Sequence, residues 1–167
     1  TCSLIALTAG FTLSTLAASA TTCSLIILLA LFTGLFYNVV GKKTGTVGNL
    51  MLGLGFFAAY AYCLEVGGRL AEGLYLAVWF GVWTFVDNAV VQFQDIPGDK
   101  PAGLRTMATE LGRKLVLALV PPSLVMIVIA AFSSAILTPI AYWCQLADSV
   151  LVLASSLLTM GDPEDAR

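Results

Sequence analysis

Residues 1–41 read TCSLIALTAGFTLSTLAASATTCSLIILLALFTGLFYNVVG, and not one of them is charged. As one continuous helix this run would be about 60 Å long at ~1.5 Å per residue, twice a hydrocarbon core of about 30 Å. It has to fold back, and the small polar cluster Ala18-Ser19-Ala20-Thr21-Thr22 is the place for the turn. Two membrane spans are therefore predicted, near 2–18 and 23–40. The pentapeptide TCSLI stands at 1–5 and again at 22–26, too short a match to count as a repeat.

The same reading carries outward along the chain. After Gly41-Lys42-Lys43-Thr44-Gly45 comes an apolar segment near 47–64, then the short loop Glu65-Val66-Gly67-Gly68-Arg69. A fourth apolar segment follows near 71–93, with Trp79 and Trp83, and leads into a polar stretch at 92–114. Leu115 to Ala147 is again free of charge. It is too long for one span, and Ser133-Ser134 with Pro139 marks a turn between spans near 115–133 and 136–158. Pro121-Pro122 predicts a kink in the first of these. The fold class that results is all-α: a polytopic membrane bundle of about six spans in a single domain, closed by an acidic tail from Gly161 to Arg167.

Composition agrees. Hydrophobic residues make up 59% of the 167 and charged ones 11%, against roughly 25% charged in a soluble domain. A soluble fold of this size would lack the polar surface to cover itself, so the lipid bilayer is the predicted solvent. A net charge of −2 argues against nucleic acid as a partner. Without a single His, imidazole metal sites and Ser-His or Cys-His nucleophiles are excluded. Cys2, Cys23, Cys63 and Cys144 stand far apart in apolar runs and read as small hydrophobes. The chain starts at Thr1 with neither Met nor a basic leader, so its start is not read as a signal peptide and the sequence is expected to be a piece of a longer protein.

Threading six spans puts the 38–46 loop, the 94–114 loop and the tail on one side. Lys42, Lys43, Lys100, Arg105, Arg113, Lys114 and Arg167 then share that side, and only Arg69 lies opposite. By the positive-inside rule the crowded side, with the site loops, is cytoplasmic.

The chemistry-bearing residues gather in Gln92-Phe93-Gln94-Asp95-Ile96-Pro97-Gly98-Asp99-Lys100-Pro101-Ala102-Gly103-Leu104-Arg105-Thr106. Asp95 and Asp99, spaced i, i+4, share a face if the fourth helix continues through them. A turn at Pro97-Gly98 would also bring them close. Two neighbouring carboxylates repel unless a divalent cation sits between them. Mg²⁺ suits such a pair, because it takes one or two carboxylates and binds substrate phosphate oxygens as well. Lys42, Lys43, Lys100 and Arg105 could clamp that phosphate. A solvated loop whose charges only fix topology is the competing reading. Asp87, well inside the fourth span, is costly there and marks either a wet cavity or a structural pairing with a Thr or Asn. Asp148 is ambiguous in the same way and ranks lower.

From Asp95 through Thr106-Met107, and on to Glu110-Leu111-Gly112, the chain resembles the second aspartate-rich region of the UbiA family of intramembrane prenyltransferases. Tyr37-Asn38-Val39-Val40-Gly41-Lys42-Lys43 is similar to that family's Tyr followed by a basic pair at a helix end. The resemblance implies part of a larger nine-helix bundle, this chain spanning the third to eighth helices. It also implies Mg²⁺ as cofactor at Asp95 and Asp99, with a prenyl diphosphate substrate contacted by Lys42 or Lys43 and Arg105. Tyr37, Asp87 and Gln92 would be polar groups of the cavity. Two departures stand out. The family's other aspartate-rich region, N-D-x-x-D-like, is absent here, so the chain alone is expected to be inactive. The leading acid of the second region falls at Gln92, which carries no charge. The implied activity is transfer of a prenyl group to an acceptor in the membrane. A UbiA-like terpene cyclase is the alternative, and a non-catalytic bundle or small transporter the reading from another class.

Overall fold

The computed structural model describes residues 20–112, 114–133, 137 and 139–158. The span expected at 2–18, Arg113, most of the 133–136 turn and the acidic tail lie outside the described residues. What is described is all-α: α1 (Ala20–Val39), a single 3₁₀ turn (Gly41–Lys43), α2 (Thr46–Val66), α3 (Leu70–Asp99), the short α4 (Met107–Leu111), α5 (Lys114–Phe132) and α6 (Pro139–Leu158). Helices are the solution that an apolar chain without water requires, since each satisfies its own backbone polar groups. Among the described residues α2, α3 and α1 from Thr21 are long and apolar enough to cross a membrane. The exposed Leu25, Leu28, Leu31, Phe32 and Leu35 of α1 form a surface suited to lipid rather than water.

α2 and α3 make the tightest pair. Their hairpin closes at Gly67-Gly68, where Gly68 takes φ +66° and the Arg69 N–H reaches back to the Leu64 carbonyl at 2.8 Å. One level up, Gly53 and Gly81 let the backbones meet. A Cβ on Gly53 would come to 2.7 Å of the Gly81 carbonyl, and one on Gly81 to 2.9 Å of the Gly53 carbonyl. Small residues at a crossing are how helices associate in lipid, where no hydrophobic force draws them together. The Tyr60 and Phe80 rings stack across the same seam with centroids 5.0 Å apart.

The buried core lies on the other flank of α3. Val86, Ala89 and Ile96 pack with Met107 and Ala108 of α4, Leu115, Leu119 and Met126 of α5, and Val152 of α6. A long-range polar contact ties α6 to α3: the buried Trp79 indole N–H donates to Ser149 Oγ at 3.1 Å. Trp79→Phe keeps the ring and loses that bond, and should lower stability by about 1 kcal/mol, read as a fall in the detergent unfolding midpoint.

The sequence leaves open whether the fourth helix turns at Pro97-Gly98 or continues past its apolar span near 71–93. It continues: α3 runs 30 residues through Pro97 to Asp99, about 45 Å at ~1.5 Å per residue. Pro97 removes one backbone donor, that to the Phe93 carbonyl. It does so two residues from the helix end, where Pro97 and Gly98 are exposed, so one ladder bond is lost and the helix ends soon after. The polar loop shrinks to Lys100–Thr106 before α4 begins.

Candidate active site

With α3 continuous to Asp99, Asp95 and Asp99 sit one turn apart on the same side of its last turns. Asp95 is exposed and Asp99 half-buried. Among the described residues neither carboxylate has a hydrogen-bond or ion-pair partner. No group of three or more His, Cys, Asp or Glu side chains gathers there or elsewhere among those residues. A two-carboxylate donor set fits Mg²⁺, which keeps several waters and shares its coordination with substrate phosphate, better than a cation that demands a full protein cage.

Past Asp99 the chain reverses sharply. Gly103 takes φ +67°, and the Leu104 N–H bonds to the Asp99 carbonyl at 3.0 Å. That reversal returns Arg105 to the end of the bundle where α1 hands over to α2. The Gly45 N–H donates to the Arg105 carbonyl at 2.9 Å, and Gly45 pairs with Thr106 in an isolated parallel bridge. Two polar segments sixty residues apart in sequence, one bearing Lys43 and the other Arg105, are thus tied backbone to backbone. The Lys42 side chain lies outside what the structure describes.

Arg105 is not idle. Its Nε and Nη2 donate to Glu110 Oε1 at 3.1 and 2.8 Å, and the Glu110 carboxylate packs directly on Gly45, leaving no room there for a Cβ. The Arg105 side chain is 77% exposed, so this pair adds at most about 1 kcal/mol to stability. Glu110→Gln should therefore leave the unfolding midpoint nearly unchanged while freeing the guanidinium for an anion. Tighter binding of inorganic diphosphate by that variant, measured by calorimetry, is the expected result.

Beneath the loop lies an amide cluster with one wholly buried member. Asn49 of α2, wholly buried, accepts through Oδ1 from Asn88 Nδ2 at 2.6 Å and from Gln92 Nε2 at 2.7 Å. Gln92 Oε1 accepts the N–H of Met107, the first residue of α4, at 3.1 Å. Thr106 and Thr109 cap the same helix reciprocally. The sequence reading did not single out Asn49 or Glu110 as site-forming. The signal for Asn49 was there, a lone amide in an otherwise apolar segment.

Below the cluster an apolar groove of about 360 Å³ opens between α2, α3 and α5, lined by residues that include Leu50, Leu54, Phe57, Val82, Phe85 and Pro122. Its upper rim on α3, Phe85, is seven residues below Gln92, about 10 Å at ~1.5 Å per residue. Neither Tyr37 nor Asp87 is among the residues that line this groove. Tyr37 lines a separate groove of about 300 Å³ between α1 and α2. Asp87, half-buried, lies within electrostatic range of Asp148 on α6.

Compared with known proteins, residues 1–166 match the model of the UbiA prenyltransferase family. No curated protein and no solved structure matches the chain.

Proposed function

The chain belongs to the UbiA prenyltransferase family, and from that premise we propose that it is a membrane enzyme that moves a prenyl group from its diphosphate to an acceptor in the bilayer. The observation that carries this reading is the pairing of two carboxylates without a partner among the described residues, Asp95 and Asp99, with a backbone tie that sets Arg105 beside the lysine-bearing turn. Carboxylates suited to a divalent cation and cationic segments suited to a diphosphate lie at one end of the bundle, and the apolar groove starts below them.

In this reading Asp95 and Asp99 hold Mg²⁺, while Lys42, Lys43 and Arg105 contact the diphosphate and the groove takes the prenyl chain. When bound, the metal supplies positive charge against the leaving oxygens. The C1–O bond breaks with its electron pair going to the diphosphate, the acceptor attacks C1, and the acceptor's proton is lost to solvent. Arg105 and the lysines stabilise the charge that develops on the departing group. Arg105 must exchange Glu110 for the diphosphate to do so. Arg105→Ala should raise the KM for prenyl diphosphate about tenfold with a smaller change in kcat, since one charge-assisted contact is lost. By the positive-inside rule we place this end of the bundle on the cytoplasmic side.

A cyclase reading keeps one supporting feature: by the family resemblance Gln92 stands where the leading acid would, which leaves Asp95 and Asp99 as the carboxylates of that region. Incubating the full-length chain in lipid nanodiscs with farnesyl diphosphate and Mg²⁺, without acceptor, separates the two. A transferase leaves the substrate unturned or slowly hydrolysed. A volatile hydrocarbon product would replace the transferase reading by the cyclase.

A further inference from the structure

Resting on the prenyl diphosphate reading above, we infer that Gln92 is a positioning residue, which locks the Arg105-bearing loop to the Asp95–Asp99 end of α3, and not a metal ligand. The family resemblance sets Gln92 where a leading acid would stand, two turns below Asp99 and on its side of the helix. Geometry gives it a different task. Its amide is engaged at both ends, and both partners lie inside the fold: Nε2 donates to Asn49 Oδ1 and Oε1 accepts from the Met107 N–H. Asn49 is wholly buried, Met107 is 2% exposed, and Asn88 shares the same acceptor atom.

Each contact has a physical reason to persist. The Met107 N–H opens α4 and has no intrahelical partner, so without Gln92 it would be a buried orphan donor. Asn49 Oδ1 sits where no water reaches, between helices, and needs the donors that Asn88 and Gln92 bring. Gln92 thereby joins α2, α3 and α4 at one point. Arg105 lies two residues before Met107 and is held from the other side by Gly45. The clamp thus fixes the chain on which the guanidinium rides. A carboxylate at position 92 could not donate to Asn49, which accounts for an amide here instead of the acid.

The test uses the full-length chain in nanodiscs and reads two independent quantities. The first is amide hydrogen exchange at Met107 and its neighbours with no ligand present. Gln92→Met, which fills about the same space but makes neither bond, should speed exchange there by about tenfold or more. Asn49→Ala, which removes Gln92's partner and also the buried contact of Asn49 Nδ2 with Met107 Sδ at 3.5 Å, should speed the same segment at least as much, and the double variant should be little worse than Asn49→Ala alone. Peptides from the centre of α3 should stay as in the unaltered protein, which rules out general unfolding. The second is binding of inorganic diphosphate at varied Mg²⁺. Gln92→Met should weaken diphosphate about fivefold or more at unchanged Mg²⁺ half-saturation.

Exchange at Met107 that is unaltered in Gln92→Met would overturn the clamp. A higher Mg²⁺ requirement in Gln92→Met but not in Asn49→Ala would overturn it too, by making Gln92 a ligand. If the unaltered protein binds no diphosphate with Mg²⁺, the prenyl diphosphate reading fails, and the exchange measurement still decides whether Gln92 clamps the loop.

Discussion

Asp95→Asn and Asp99→Asn should each lower Mg²⁺-dependent turnover of prenyl diphosphate by about 100-fold or more, which is about 2.7 kcal/mol of transition-state stabilisation. The substitution is nearly isosteric and removes only charge. Both side chains are solvent-accessible and, among the described residues, neither is bonded to another group. Stability should consequently stay within about 0.5 kcal/mol of the unaltered protein. Loss of activity at constant unfolding midpoint is the signature of a ligand pair; the solvated-loop reading predicts that neither activity nor midpoint moves. The double variant tests cooperation. If both acids hold one cation, losing the second after the first should cost little more, because residues that act as a unit are not additive.

The largest effect on stability is expected at the α2–α3 crossing. Gly81→Leu drives a branched side chain into the Gly53 carbonyl and Phe57 Cβ, both 2.9 Å from a Cβ at that position. Backbone and a Cβ cannot swing aside, so the helices must separate. The cost is about 1–3 kcal/mol or more, and the crossing also closes the apolar groove, which both glycines line. The unfolding midpoint in detergent should drop well below that of Gly34→Ala. Among the described residues nothing lies within 4 Å of a Cβ added at Gly34 in α1, so Ala there should be neutral or mildly stabilising, by at most about 1 kcal/mol. Equal midpoints for the two variants would mean that the crossing is looser than its distances say.

Much of the helical architecture was legible because lipid imposes it. Length and absence of charge mark a segment as a buried helix without reference to any partner, and the glycine pairs at 67–68 and the Gly-Lys-Lys-Thr-Gly stretch mark its ends. The end of α3 was left open between a helix that carries Asp95 and Asp99 on one face, which is the one observed, and a turn at Pro97-Gly98, whose local signature does not report that the helix runs on to Asp99. Asp87 shows the limit of reading one helix alone. The periodicity puts it roughly beneath Asp95, yet what surrounds a mid-span carboxylate depends on α6, sixty residues later, where Asp148 lies.

The candidate site divides the same way. Asp95 and Asp99 were found because their spacing is local, and Arg105 because it follows them closely. The tie from Gly45 to Arg105 and the bonds from Asn49 to Asn88 and Gln92 join segments forty to sixty residues apart. Their register is set by how α2 packs on α3, through the glycine crossing, and no local pattern reports it. Gln92 was therefore noticed for the charge it lacks and not for the contacts it makes.

Binding of radiolabelled farnesyl diphosphate to the full-length chain in nanodiscs, with Mg²⁺ and then with excess EDTA, tests the central claim most directly. Saturable binding that disappears on chelation and is displaced by inorganic diphosphate is the expected result, because headgroup, metal and carboxylates would form one unit. Retention that is equal with and without EDTA and indifferent to diphosphate would be simple partitioning of a greasy chain into apolar surroundings, and would contradict it.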